Sequence, residues 1–172
     1  GRETRFLVSE MSARGVGHIQ HLTTVTPPRV GVVLNVGSAH LGEFGSVEAI
    51  AQAKGELVEA LPEGGWAVLN HDDARVAALA QRVPSGAQVA WFSLDEAAEP
   101  PDGGLLVQAL DVSADDLQRH SFTLRAQGTH SGASRAPSAG ATSCHRPSGS
   151  RARAVVSAVI AEVSMVNFSG AA

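Results

Sequence analysis

NVGSAHLGEFGSVEAIAQAKGE, Asn35 to Glu56, joins the most strand-like run of the sequence to its best marked helix. Ahead of it, VGVVLNV from Val30 to Val36 is a nearly unbroken apolar, β-branched run, which predicts a buried strand. At its far end Ser46 predicts an N-cap, with Glu48 in the first turn facing the helix dipole and the helix running to Leu61 before Pro62, Gly64 and Gly65 stop it. The apolar stripe is Val47, Ile50, Leu57, Val58 and Leu61, and at about 100° per residue Lys54 falls near its centre. Lys54 is the only lysine among the 13 Lys+Arg of the chain. Packing alone would lay its stem on the core and let the ammonium reach an edge. Chemistry offers a second use: a desolvated lysine has a lowered pKa and, as a neutral amine, can form a Schiff base or a carbamate.

Outward from this stretch, strands and helices alternate. RFLVSE, Arg5 to Glu10, predicts a short buried strand, GHIQHLTTV a helix ended by Pro27 and Pro28, and Trp66 to Leu69 the strand after the Lys54 helix. DARVAALAQRV follows as a helix with Asp72 or Asp73 as its cap and Val76, Leu79 and Val83 inward. This order predicts parallel strands joined by right-handed crossovers, an open α/β sheet. Ligands on such sheets collect outside the carboxyl ends of the strands. Glu10, Asn35 and Asn70 each end a predicted strand and His40 follows one, so four polar residues are expected on one rim. From Gln88 to Gln127 the pattern becomes short strands, QVAWF, LLVQAL and HSFTLRA, with Pro100, Pro101, Gly103 and Gly104 marking a turn between the first two.

At Gly128 the composition changes to THSGASRAPSAGATSCHRPSGSRARA, without apolar periodicity, which predicts a flexible tail over 128–172 of the kind a shifted reading frame or a fusion would leave. AVVSAVIAEV within it could form a marginal helix. The formal charge of −4 divides unevenly, nine Lys+Arg against sixteen Asp+Glu in residues 1–127 and four against one in 128–172. An acidic body and four scattered arginines give no nucleic-acid footprint. Cys144 is alone, so no internal disulfide can form and a reducing, cytoplasmic location is expected. No apolar run nears the roughly 18 residues of a membrane span, and GRETRF lacks a signal peptide's apolar region. No C-x-x-C or H-x-x-x-H spacing favours zinc, and no G-x-S-x-G elbow favours a serine hydrolase.

The ordered string V-x-N-V-x-x-A-H-L-x-x-F-G-S-x-E-x-I-A-x-A-K-G-E resembles the central domain of the Mur ligases, in the branch that adds D-alanyl-D-alanine to UDP-N-acetylmuramoyl-tripeptide. The resemblance covers roughly residues 5–127 and is far more specific than a lone glycine motif. It implies a partial P-loop-NTPase-like open sheet with a β-rich continuation over 1–127, an irregular tail over 128–172, and ATP-dependent amide ligation in peptidoglycan synthesis through an acyl phosphate. It further implies that Lys54 is carbamylated and, with His40 and Glu10 in E-M-x-A-R-G, holds Mg2+ at the ATP phosphates, and that Asn70 in V-L-N-H-D-D contacts the adenine. Ser12 and His18 depart from a usual glycine and glutamate, Gly42-Glu43 inverts a usual Glu-Gly, and His71 replaces a usual alanine. The expected partners are the two small-molecule substrates, with no nucleic acid, no membrane insertion and a monomeric chain. A folylpolyglutamate-type ligase and a non-catalytic nucleotide-binding module are the rival readings, the F-G-S-x-E-x-I-A-x-A-K-G-E string arguing against the first. No G-x-x-x-x-G-K-[ST] phosphate cradle occurs among these residues, so the chain by itself is expected to be inactive as a ligase.

Overall fold

The computed structural model describes residues 7–37, 41–99, 101, 104–114 and 120–127. Helix α1 (His18–Val25) precedes strand β1 (Val30–Val33), a short α2 (Leu41–Phe44) and the long α3 (Val47–Glu59). Strand β2 (Trp66–Asn70), helix α4 (Ala74–Ala78), a 3-10 turn (Leu79–Arg82) and strands β3 (Gln88–Ser93), β4 (Leu105–Ala114) and β5 (His120–Gln127) complete the order. The five strands form one sheet in the order β1-β2-β3-β4-β5. Pairing is parallel from β1 to β4, opening at Val30↔Trp66, Trp66↔Gln88 and Ala90↔Leu105, and antiparallel between β4 and β5.

Because each strand is added on the same side of the last, successive crossovers of one hand must lie on one face of the sheet. That face carries Val33, Ala67, Leu69, Trp91 and Leu106 from the strands, packed with Ile50, Val58 and Leu61 at α3, Val76 and Leu79 at α4 and the turn, and Ala98 from the β3–β4 connection. The other face presents Trp66, Val68, Phe92, Val107, Phe122 and Leu124, also buried. Alternation along β2 makes this division, Trp66 and Val68 to one side, Ala67 and Leu69 to the other. Both faces being apolar explains why the parallel strands read as continuous runs in the sequence.

Ser46 caps α3 as expected, its Oγ accepting from Ala49 N at 3.0 Å, with Glu48 in the first turn. Several expectations are corrected. Residues 7–10 form no strand, and Leu7 and Val8 are 74% and 82% exposed, because no strand of the sheet pairs with them and no apolar layer covers them. Glu10 therefore does not end a strand. The β1 ladder stops at Val33 rather than Val36, since the chain beyond it is held by side chains, Asn70 of β2, Asp73 at the start of α4 and Lys54 of α3, rather than by a neighbouring backbone. The helix after Asp73 breaks at Leu79 into a 3-10 turn, with Val76 and Leu79 inward and Val83 half-buried.

The Pro- and Gly-rich stretch between β3 and β4 joins parallel strands, with the expected turn present where Gly104 N donates to Pro101 O (2.9 Å), and its described residues include no α-helix. It is strapped to the sheet by Gln108, fully buried, whose Nε2 donates to Asp95 O (2.8 Å) and Ala98 O (3.1 Å). Arg125 of β5 donates in turn to Gln108 Oε1 and to Glu96 O. These bonds replace the hydrophobic face that a crossover helix would have provided. The tail over 128–172 and its marginal helix lie outside the described residues. Among the described residues, no helix is long and apolar enough to cross a membrane.

Candidate functional site

Side chains knit together the carboxyl ends of β1, β2 and β3, adding to a backbone ladder that between β2 and β3 continues through His71 N donating to Phe92 O (2.9 Å). Asn70, the last residue of β2, donates from Nδ2 to Leu34 O (2.8 Å) and accepts at Oδ1 from Asp72 N (2.9 Å). Asp73 accepts at Oδ1 from Arg75 N and Val76 N, capping α4, and at Oδ2 from Val36 N at 2.7 Å. One carboxylate thus fixes a helix start and the chain leaving β1. Asp72 does not cap, contrary to the reading of the pair as alternatives for one role. Its Oδ1 accepts from the buried Ser93 hydroxyl (2.5 Å) and its Oδ2 from Leu94 N (2.7 Å), binding the end of β3 to the loop after β2. His71 meets the buried Trp91 edge-on, ring centroids 5.9 Å apart and planes at 88°.

Lys54 reaches this rim from α3. Its Nζ donates to the Asn35 carbonyl at 2.5 Å and approaches Asn35 Oδ1 at 3.5 Å. Burial lowers its pKa from the ordinary 10.5, and the negative charge of Asp73 acts in the opposite direction. Of the residues singled out in the sequence, Lys54, Asn35 and Asn70 are thus brought to one rim. Glu10 lies in the exposed, irregular segment before α1, and His40 lies outside the described residues. Among the described residues, no three His, Cys, Asp or Glu side chains cluster as a metal site. An open groove of about 330 Å³ between α3 and α4, lined by Glu48, Gln52, Arg75 and Arg82 among others, includes none of the rim residues.

Two residues next to Lys54 in sequence also make specific contacts. Gly55 is buried, and a Cβ there would collide with the Arg82 guanidinium, which crosses α3 to donate to Ala51 O, Gln52 O and Glu59. Glu56 is buried, and its carboxylate accepts from Gly17 N (2.5 Å) and Gln20 N (2.9 Å) at the start of α1. The sequence carried one signal for this. Glu56 shares a helical row with Ala49, Ala53 and Ala60, small residues that let another helix approach closely, and an acid on such a row needs a donor.

The sequence pattern of the Mur ligase middle domain matches residues 1–140. A UDP-N-acetylmuramoyl-tripeptide--D-alanyl-D-alanine ligase of Mycobacterium tuberculosis (strain ATCC 25618 / H37Rv) is 49% identical over 125 residues, covering 73% of this chain and 23% of that protein. The chain therefore spans about a quarter of the length of the curated relatives it matches. A crystal structure of MurF from Acinetobacter baumannii superposes with a TM-score of 0.63 at 20% identity, over 91% of this chain and 30% of that one. MurF ligase from Thermotoga maritima in complex with ADP gives a TM-score of 0.50 at 32% identity, over 68% of this chain and 24% of that one.

Proposed function

The chain belongs to the Mur ligase middle-domain family, and on that premise we propose that it is the nucleotide-handling part of an ATP-dependent ligase joining D-alanyl-D-alanine to UDP-N-acetylmuramoyl-tripeptide in peptidoglycan synthesis. In that reaction ATP phosphorylates the terminal carboxylate of the tripeptide. The amine of D-alanyl-D-alanine attacks the acyl phosphate, forming the amide and releasing inorganic phosphate. The protein's contribution is to position the reactants and stabilise charge.

The observation that carries this reading is the setting of Lys54. A half-buried lysine with a lowered pKa is the form of the residue that adds carbon dioxide, because only the neutral amine is nucleophilic. A carbamate keeps one N–H, enough for the Asn35 carbonyl that Nζ already meets, and projects two oxygens beyond it. In this reading the Lys54 carbamate, Glu10 and His40 hold Mg2+, which would supply charge neutralisation at the ATP phosphates. Asn70 serves the adenine. Its Oδ1 and one amide hydrogen are engaged in holding the rim, which leaves the second hydrogen to meet a purine acceptor.

Because Lys54 is the sole lysine, carbamylation is directly readable by 13C NMR in 13C-bicarbonate. Wild type should show a carbamate resonance that Lys54→Arg lacks, and Mg-dependent binding of ADP that weakens in Lys54→Ala and in Asn70→Ala. A protein with no such resonance, and with ADP binding indifferent to both substitutions, would overturn the reading.

A further inference from the structure

The two faces of the sheet are buried by different means. On the side of Leu69 and Trp91 the cover consists of α3, α4, the 3-10 turn and the β3–β4 connection, with α1 packed on α3. On the side of Trp66 and Val68 every described member of the buried cluster belongs to a strand or to the residues that continue β1 and β3, and no helix contributes. Yet Trp66, Phe92 and Val107 are each 1% exposed and Val68 0%. Side chains standing on a bare sheet would meet water along their tips, so a second layer lies over them. The irregular segment 7–16 holds no buried residue and does not supply it.

The structure contains one chain, so the layer is drawn from the remaining residues of that chain: 1–6, 38–40, 100, 102–103, 115–119 and 128–172. Only the last of these holds more than one large apolar side chain, and all of its large apolar side chains follow Ala154. At about 100° per residue Val155, Val156, Val159, Ile160, Val163 and Val166 share one side of that run, with Ser157 and Ser164 outside the stripe.

We infer that residues 155–166 are the cover of the second sheet face, their apolar side docked on Trp66, Val68, Phe92 and Val107, and that residues 128–154 are the tether that brings them there. β5 lies at one edge of the sheet and ends at Gln127, so the tether starts beside the face it has to cross. A flexible run of that length spans roughly 30 Å, against about 20 Å across five strands, which lets the apolar run reach any part of the face. The Ser-, Gly- and Ala-rich composition after Gly128 suits a tether, and the aliphatic composition after Ala154 suits a layer.

The chain's two tryptophans lie on opposite faces, Trp66 under the inferred cover and Trp91 under the helices, and give the first test. In a Trp91→Phe chain, Val159→Asp with Ile160→Asp should shift Trp66 emission to the red and open it to acrylamide quenching. In a Trp66→Phe chain the same pair should leave Trp91 quenching as it was. Unchanged quenching of Trp66 would overturn the inference.

Should the aspartates unfold the whole chain, so that both tryptophans open together, a nitroxide decides the matter in the folded protein. Cys144 is the sole cysteine, so Cys144→Ser with Ala161→Cys places one spin label on the side of the run away from its apolar stripe. In methyl-labelled protein the signals of Val68 and Val107 should lose most of their intensity while those of Val58 and Val76, on the helical side, keep theirs. Equal loss on both faces, or none, would overturn the inference. So would broadening that appears only when spin-labelled chains are mixed with isotope-labelled chains carrying no nitroxide, since the cover would then come from a second copy.

Discussion

Lys54, Gly55 and Glu56 are consecutive, and a turn of about 100° per residue points them at three different parts of the molecule: the end of β1, the guanidinium of Arg82 and the start of α1. The lysine is the member whose behaviour can be titrated alone. Selective 13C labelling of lysine gives a single side-chain signal, whose midpoint should fall below 10.5 and fall further in Asp73→Asn, because Asp73 is the charge that opposes the lowering. The stability consequence has a definite sign. Below the folded-state pKa the ammonium is charged in both states, and its desolvation cost is present in full. Between that pKa and 10.5 the unfolded chain holds a proton that the folded chain has released, so stability rises with pH across the window. Urea denaturation of wild type against Lys54→Met should show wild type gaining as pH rises toward 10.5. A difference that stays flat, or a midpoint at the ordinary value, would contradict the burial of Lys54.

On α3 as an element, Gly55 poses a sign problem that Arg82 resolves. Glycine in a helix interior costs about 1 kcal/mol relative to alanine, so Gly55→Ala has a propensity gain to offer. It also displaces Arg82 from two backbone carbonyls and Glu59, bonds that are exposed except for the one to Ala51 O and together worth roughly 2 kcal/mol. Gly55→Ala alone should therefore destabilise by about 1 kcal/mol, and the same change in an Arg82→Ala background should stabilise by about as much. Denaturation midpoints of the four proteins decide it, and a Gly55→Ala effect of the same sign in both backgrounds would refute the coupling.

The elements that the sequence made legible are those specified locally. Ser46 caps α3 through an amide three residues away, and Ile50 and Val58 form its buried stripe, with Leu61 buried just past the helix, which ends at Glu59 rather than at the expected Leu61. What was not legible is held by partners distant in sequence: Asp72 by Ser93 and Leu94, Glu56 by α1, and the β3–β4 crossover by Gln108 and Arg125. The LVSE part of RFLVSE, residues 7–10, misled because an apolar run specifies a strand only where a neighbouring strand accepts its ladder, and pairing does not appear in a local pattern. Of the four polar residues expected on the rim from strand ends, Asn70 ends β2 and Asn35 lies two residues past β1, while Glu10 ends no strand and His40 lies outside the described residues; Lys54 reaches the rim from α3. The hydrogen-bonding duties of Asn70 do not follow from its place at a strand end.

At the scale of the whole molecule, the rim is a well-braced scaffold, and the chemistry proposed for it requires a further group that these residues do not contain. Phosphoryl transfer from ATP depends on a backbone cradle with a lysine at the β and γ phosphates, and none of the 172 residues forms a G-x-x-x-x-G-K-[ST] string. Lys54 cannot substitute for that lysine, because it sits in no such glycine spacing and its Nζ is committed to Asn35. Losing one preorganised donor to a developing charge costs about 3 to 4 kcal/mol of barrier, a factor of a hundred or more in rate, and a whole cradle costs more. The purified 172-residue chain, given Mg-ATP, UDP-N-acetylmuramoyl-tripeptide and D-alanyl-D-alanine, should therefore release no phosphate above background, even where it binds ADP. Phosphate release by this chain that disappears in Lys54→Ala would show that the rim alone completes the catalytic site.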